Sequence, residues 1–153
     1  MLGLMVILAA TSASSPTART HEIDPAQLKL GGVRLGASPA EARKALGRSP
    51  LRTERVVIPD FAYVYQGMRI EFSGTERAGS AASISSRNRE LCTPAGVCPG
   101  MPEKALHDAY GTGARVHRAS HDIVGYSTPG DACGLFAEVS DGKITELSAY
   151  CQP

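Results

Sequence analysis

The chain has 153 residues, of which 42% are hydrophobic and 20% charged, with a formal net charge of +1. That length suits one ordinary domain, or two small halves sharing a core, and the composition is that of a globular protein. A near-neutral balance gives no electrostatic case for nucleic acid, which requires a clustered basic surface. Arg52, Arg55, Arg87 and Arg89 lie close in sequence to Glu54 and Glu90 and read as solvated surface.

In chain order the first segment is apolar. Residues 2–10 form a run of about nine apolar residues, followed by Thr11-Ser12-Ala13-Ser14-Ser15. These have the character of the h-region and c-region of a secretory signal peptide, here residues 1–15, although no Lys or Arg precedes the run. The run is too short to cross a bilayer, which takes about 20 helical residues, so no membrane span is expected. With no cysteine near the cleavage region, anchoring through an N-terminal lipidated cysteine is not expected either. Residues 16–30, including Pro16 and Pro25, read as a polar, extended lead. The expected location is periplasmic or secreted.

Residues 31–91 and 92–153 read as two copies of one unit. Gly32-Val33-Arg34-Leu35-Gly36, followed by a helical stretch ending Ala45-Leu46-Gly47, recurs 64 residues later without a gap. The second copy is Gly96-Val97-Cys98-Pro99-Gly100, ending Ala109-Tyr110-Gly111. Such a period indicates a duplicated supersecondary unit. In the first copy Ser38 stands at N-cap, Pro39 at N1 and Glu41 at N3, which is a capping box. Gly47 stops the helix at C′. Its apolar side, Ala42, Ala45 and Leu46, is a narrow stripe suited to close packing on a sheet. The second helix starts near Met101-Pro102, with Pro102 in place of the cap serine and Glu103 in the first turn, where the dipole favours it. Leu106, Ala109 and Tyr110 form the matching side.

After each helix the pattern changes to period two. Strands are expected at 56–58, 61–65, 68–72 and 82–87 in the first copy, and at 115–119, 123–126, 133–139 and 144–150 in the second. Gln66-Gly67 reads as a tight turn, and Asp141-Gly142 as a strong hairpin signal. The expected fold class is α+β: two tandem helix-plus-antiparallel-meander repeats forming a sheet with helices on one face, in one compact domain.

Four cysteines in an exported chain favour two disulfides, with three pairings open. Cys92 and Cys98 bracket a Pro/Gly loop whose closure is worth on the order of 2 kcal/mol in the chain-entropy model. Cys133 and Cys151 lie on the last two strands, so 92–98 with 133–151 is the favoured pairing. A two-residue turn at Asp141-Gly142 sets Cys133 opposite Tyr150. A register one residue longer sets it opposite Cys151 and gathers Leu135, Ala137, Val139, Thr145, Leu147 and Ala149 on one face. A three-residue turn or a bulge is therefore expected, with Glu138 facing Glu146.

Gly-Val-x-Leu-Gly-x-Ser, a helix, Leu-Gly and then an antiparallel meander resembles the repeat unit of two families. The β-lactamase inhibitor protein family carries two such units in tandem, and the SmpA/OmlA (BamE-like) envelope module carries one. The resemblance covers residues 32–47 and 96–111, and the following strands by pattern. It implies a protein-binding module with no active site, exposing one face of a sheet to a partner.

Phe61, Tyr63 and Tyr65 alternate onto one face of their strand, and Tyr126 and Tyr150 lie on late strands. On an open sheet face these five would be interface anchors; the competing reading packs that face against the helices. His117-x-x-x-His121-Asp122 has metal-ligand spacing if helical, but the alternation Arg115-Val116-His117-Arg118 reads as a strand, which separates the rings. His107 and Asp108 are sequence neighbours and do not face each other on a helix. His21 lies in the lead. There is no nucleophile elbow, P-loop or dinucleotide fingerprint, the serines of residues 80–86 have no marked base, and paired cysteines leave no thiol nucleophile. No Cys-x-x-Cys or Cys-x-x-His spacing occurs, so neither metal nor cofactor is expected. The function expected is an exported, non-enzymatic protein-binding module, inhibitor-like or an envelope-assembly accessory. The alternatives are a small metal-dependent hydrolase using His117, His121 and Asp122, or a structural envelope protein. The second copy carries both expected bridges, with Cys98 where the first copy has Arg34, while the first carries the aromatic strand, so the first half is expected to supply much of the partner contact.

Overall fold

The structure, a computed structural model, describes residues 22–130 and 132–151. The expected signal peptide, the first part of the lead and His21 lie outside the described residues. After a single 3-10 turn at Pro25–Gln27, the elements in order are β1 (Lys29–Leu30), β2 (Val33–Arg34), α1 (Pro39–Leu46), β3 (Arg52–Arg55), β4 (Phe61–Tyr65), β5 (Met68–Ser73) and β6 (Ser80–Ser86). There follow α2 (Lys104–Tyr110), β7 (Ala114–His117), β8 (Asp122–Ser127), β9 (Cys133–Ser140) and β10 (Lys143–Cys151). The fold is α+β, mostly antiparallel sheet with two helices.

Eight strands form one sheet in the order β3-β4-β5-β6-β10-β9-β8-β7, and β1 pairs with β2 in a separate small hairpin. Each helix precedes four strands that pair in sequence, and the two four-stranded meanders meet where β6 pairs antiparallel with β10, Ala149 opposite Ile84. Period-two alternation puts Tyr63, Ile70, Ile84, Ala149, Leu135 and Val124 on one face, all buried. They join one cluster with Ala42 of α1, Leu106 and Tyr110 of α2, and Leu30 and Val33 of the small hairpin. Both helices therefore cover the same face. Fully burying a large apolar side chain stabilises by about 1.5–3 kcal/mol before entropy is charged, so this single layer holds the fold.

The repeated glycine motif has a defined mechanical role. Gly36 donates its N–H to the Ala81 carbonyl at 2.8 Å, and Ala81 donates back to the Ala37 carbonyl at 2.8 Å. The same pair of bonds recurs as Gly100 to Ile144 at 2.7 Å and Ile144 to Met101 at 2.9 Å. Each motif thus ties the chain leading into its helix to the start of the last strand of its own half. Positive φ at both glycines, 75° and 90°, makes the approach possible, a region that glycine enters without steric cost. Val33 and Val97, the second residues of the two motifs, are both buried.

The capping box of α1 is present with both bonds, Glu41 N–H to Ser38 Oγ at 3.2 Å and Ser38 N–H to Glu41 Oε2 at 2.7 Å. Gly47 ends the helix in the left-handed conformation. At α2 the Glu103 side chain makes no cap bond, consistent with Pro102 standing where the first copy has its cap serine. The disulfides are Cys92–Cys98 and Cys133–Cys151.

Three expectations are corrected. Residues 22–30 are not simply a polar, extended lead, because Ile23, Leu28 and Leu30 are buried and Ile23 N–H bonds to the Ser127 carbonyl. The expected strand at 56–58 is a hairpin tip, and the strand before it is the polar Arg52–Arg55. That segment is an edge, where charged residues are tolerated and discourage unwanted pairing. At the last hairpin the expected bulge is present, without a three-residue turn, and the correction concerns Thr145 alone. Asp141 and Gly142 form a two-residue turn with positive φ at both positions, and a bulge between Ile144 and Glu146 then restores Cys133 opposite Cys151 and Glu138 opposite Glu146. Thr145 is the bulged residue and is exposed, so Ile144 takes the inward place assigned to it. Substituting Gly36→Ala or Gly100→Ala should lower the urea unfolding free energy by about 1–2 kcal/mol each, the cost of a side chain in the left-handed region. Gly96→Ser, at a site with open space but φ of 81°, should cost a comparable amount; unchanged midpoints for all three would contradict this role of the motif.

Candidate functional site: the open face of the sheet

The structure decides which aromatics lie on the covered face of the sheet. Phe61, Tyr63, Tyr65 and Tyr126, proposed from sequence as interface anchors, lie on the helix-covered face and are buried, Tyr63 at 0% and Tyr126 at 1% exposure. Sequence alternation identified their common face, but only the docking of α1 and α2 says which face is covered. Arg43 of α1 lies over the Tyr63 ring, 5.4 Å from its centroid, and donates to Tyr63 Oη. Tyr110 of α2 packs on Tyr126 with centroids 5.3 Å apart. The hydroxyls are brought to partners: Tyr126 to the Gly111 carbonyl at 3.1 Å and Tyr110 to Thr93 Oγ1 at 2.7 Å. Burial raises the pKa of Tyr63, Tyr65 and Tyr110, and pushes Tyr126 up to about 12 with help from the nearby Glu103 charge.

No described element covers the other face. Its first-half side is a ladder of ion pairs. Arg69 on β5 bridges Glu71 at 2.9 Å and Glu54 of β3 at 2.5 Å, and Arg52 meets Glu54 at 2.6 Å. Across the junction, Ser83 and Ser85 of β6 lie opposite Tyr150 and Ser148 of β10, and Arg87 reaches Glu146 at 2.5 Å. Beyond them Phe136 of β9 stacks on Tyr150, centroids 4.4 Å apart and planes 16° apart. Tyr150 is the one sequence-stated aromatic candidate on this face, and it is half-buried.

Phe136 was not singled out from sequence, although Leu135, Ala137 and Val139 facing inward already required it to face outward. Its place depends on two glycines. A Cβ at Gly134 would come within 2.8 Å of the Phe136 ring and 2.9 Å of the Tyr126 carbonyl; one at Gly125 would come within 3.0 Å of the same ring. Glycines on adjacent strands thus leave the space that the ring fills. A stacked aromatic pair is worth about 0.5–1.5 kcal/mol beyond its buried area. The result is a fixed apolar anchor amid hydroxyls and paired charges.

The histidine constellation does not converge. His117 and Asp122 face each other across β7 and β8, Nδ1 to Oδ1 2.8 Å, but Arg115 takes the second carboxylate oxygen at 2.5 Å. His121 points elsewhere, toward Glu138 at 3.9 Å. The side-chain hydrogen bonds from His117 first, and then from Arg115, hold the Asp122 carboxyl below its ordinary range. His107 bonds Glu103 and the Gly111 carbonyl on its own helix. No group of three potential metal ligands occurs among the described residues.

No protein-family model matches the sequence, and no curated protein matches it. Among solved structures, a DUF4309 family protein (YjgB) from Bacillus subtilis aligns with a TM-score of 0.49 at 13% identity, over 79% of this chain and 83% of that one.

The buried phenols set an alkaline limit. Their folded-state pKa values lie above the unfolded value of about 10, so the stability tied to their neutral forms is intact below pH 10 and is lost as pH rises toward 12. Thermal midpoints should therefore fall steeply between about pH 10 and 12, with phenolate absorbance at about 295 nm rising together with unfolding. Phenolates of these four residues appearing in the folded protein near pH 10 would contradict their burial.

Proposed function

We propose that this chain is an exported, non-enzymatic binding module that docks a protein partner on the open face of its sheet. The observation that carries this reading is the Phe136–Tyr150 pair, an apolar anchor held in place on the uncovered face by Gly134 and Gly125. Interfaces concentrate their binding energy in a few aromatic anchors surrounded by polar contacts. The pair is such an anchor, and its rigidity lowers the ordering cost of binding.

Other observations support the reading. The two disulfides fit a chain that folds in an oxidising compartment, which suits the leader-like residues 1–15 and a periplasmic or secreted location. No described helix is long and apolar enough to cross a membrane. The matched motif bridges and the twice-occurring order of a helix followed by four strands favour a tandem duplication. That is the arrangement implied by the resemblance to the β-lactamase inhibitor protein family. One expectation changes within this reading: the anchor belongs to the second half, not to the first.

The test compares wild type with Phe136→Ser/Tyr150→Ser in affinity capture from envelope and secreted fractions, followed by titration of the captured protein. Wild type should retain a specific partner, and the double variant should bind it at least tenfold more weakly. Lys44→Ala, on the outer side of α1, should bind as wild type does. Equal binding by all three, or a partner lost only with Lys44→Ala, would refute the assignment of the site.

A further inference from the structure

The eight-stranded sheet ends in two edge strands, β3 and β7. An edge carries unpaired backbone N–H and C=O groups and takes up a further strand unless something guards it. At β7 the register says which groups these are. Arg118 N–H donates to the His121 carbonyl at 2.9 Å, and the same register sets Val116 opposite Ile123 and Ala114 opposite Gly125. Antiparallel pairs alternate between hydrogen-bonded and non-hydrogen-bonded, so Arg115 and His117 turn their N–H and C=O groups away from β8. Every residue of β7 is exposed, and no other described backbone group bonds to these four.

The side chains show what fits against this edge. Val116, 50% exposed, lies beside Ile123 on the open face of the sheet. On the other face Arg115 and His117 both bond to Asp122, and Arg115 also joins Glu103. Consider a second β7 related by a twofold axis normal to the sheet, midway between the two Val116 residues. Arg115 then stands opposite His117 of the other copy, and the two outward N–H and two outward C=O groups of each strand meet their complements. Val116 meets Val116 in a non-hydrogen-bonded position, where Cα atoms stand about 4.5 Å apart and side chains approach closely. Ile123 and Val116 of both copies thus form one aliphatic row across four strands. Arg118 falls opposite Ala114, and Arg115 of each copy faces the His117–Asp122 pair of the other.

The edge at β3 lacks this self-fit. Val56 N–H bonds to the Asp60 carbonyl, so by the register of β3 with β4 the outward groups belong to Thr53 and Arg55. The same twofold operation there sets Glu54 against Glu54, and like charges directly opposite are destabilising. We propose that two copies of this chain pair antiparallel through β7, Val116 against Val116, joining two eight-stranded sheets into one. Such a contact is isologous and closes at two copies. A four-residue strand makes a small interface, so the dimer is a weak one that forms with rising concentration. Both Phe136–Tyr150 pairs remain free on one common face, and the pairing does not depend on them.

The test is analytical ultracentrifugation of the full chain over a concentration series, with amide hydrogen exchange read residue by residue. Wild type should pass from monomer to dimer as concentration rises, and the Arg115 and His117 amides should exchange at least tenfold more slowly in the dimer. The Thr53 and Arg55 amides on the other edge should not change. Val116→Lys, which sets two ammonium groups together at the axis, should weaken dimerisation at least tenfold, whereas Val116→Ile should retain it. Val57→Lys, at an exposed aliphatic residue elsewhere, and Phe136→Ser/Tyr150→Ser should dimerise as wild type does. All variants share residues 1–21, so differences between them report β7. Val116 is exposed, so unchanged circular dichroism should accompany the loss in Val116→Lys; if that variant misfolds, the exchange of Arg115 and His117 in wild type decides alone. A monomer at every concentration, a dimer unaffected by Val116→Lys, or protection at Thr53 and Arg55 in place of Arg115 and His117 would each overturn the proposal.

Discussion

Everything in this fold hangs on a backbone constraint that occurs twice: a glycine with positive φ donating to the first residues of a sheet strand, which donates back to the next residue of the motif. A backbone N–H and C=O in a buried layer must find partners, and here they find them in the chain that leads to a helix. Because β6 and β10 receive these bonds and also pair with each other, helix placement and the join between the two meanders are set by the same two strands. Once both helices are tied to that junction, they cover one face of the sheet and leave the other without a described layer.

The two faces have opposite chemistry for that reason. On the covered face, tyrosines surrender their bodies to the core and satisfy most of their hydroxyls locally; the Tyr65 hydroxyl is buried without a partner among the described residues, which desolvation makes costly. On the open face, charges are retained but paired, serines line the junction, and the anchor is two rings over glycine. Glycine within a strand is ordinarily a weakness. Here it creates the space that makes an outward phenylalanine rigid, so local propensity gives way to a specific surface feature.

Much of the architecture was legible in the sequence. The capping box at Ser38 and Glu41, the stop at Gly47, the hairpin at Asp141-Gly142 and both cysteine pairings depend on short-range geometry, and short-range geometry is written in neighbouring residues. The bulge near Thr145 was inferable because the cysteines and the hydrophobic alternation demanded one register while the turn demanded another. Residues 56–58 misled for the converse reason. Three consecutive aliphatic residues look like a buried strand when burial is assumed, and they instead form an exposed tip.

By itself, the sequence determined which residues share a face, where helices begin and end, and that a glycine motif occurs twice, 64 residues apart. Period-two alternation carries that information without reference to anything distant. It could not determine which face the helices cover, since Phe61, Tyr63 and Tyr65 would alternate identically in either case. Only the tertiary structure, by docking α1 and α2 on the tyrosine side and placing Gly134 and Gly125 under Phe136, put the aromatic pair of the open face on the second half rather than the first. Face exposure depends on contacts between residues far apart in the chain, and no local pattern encodes them.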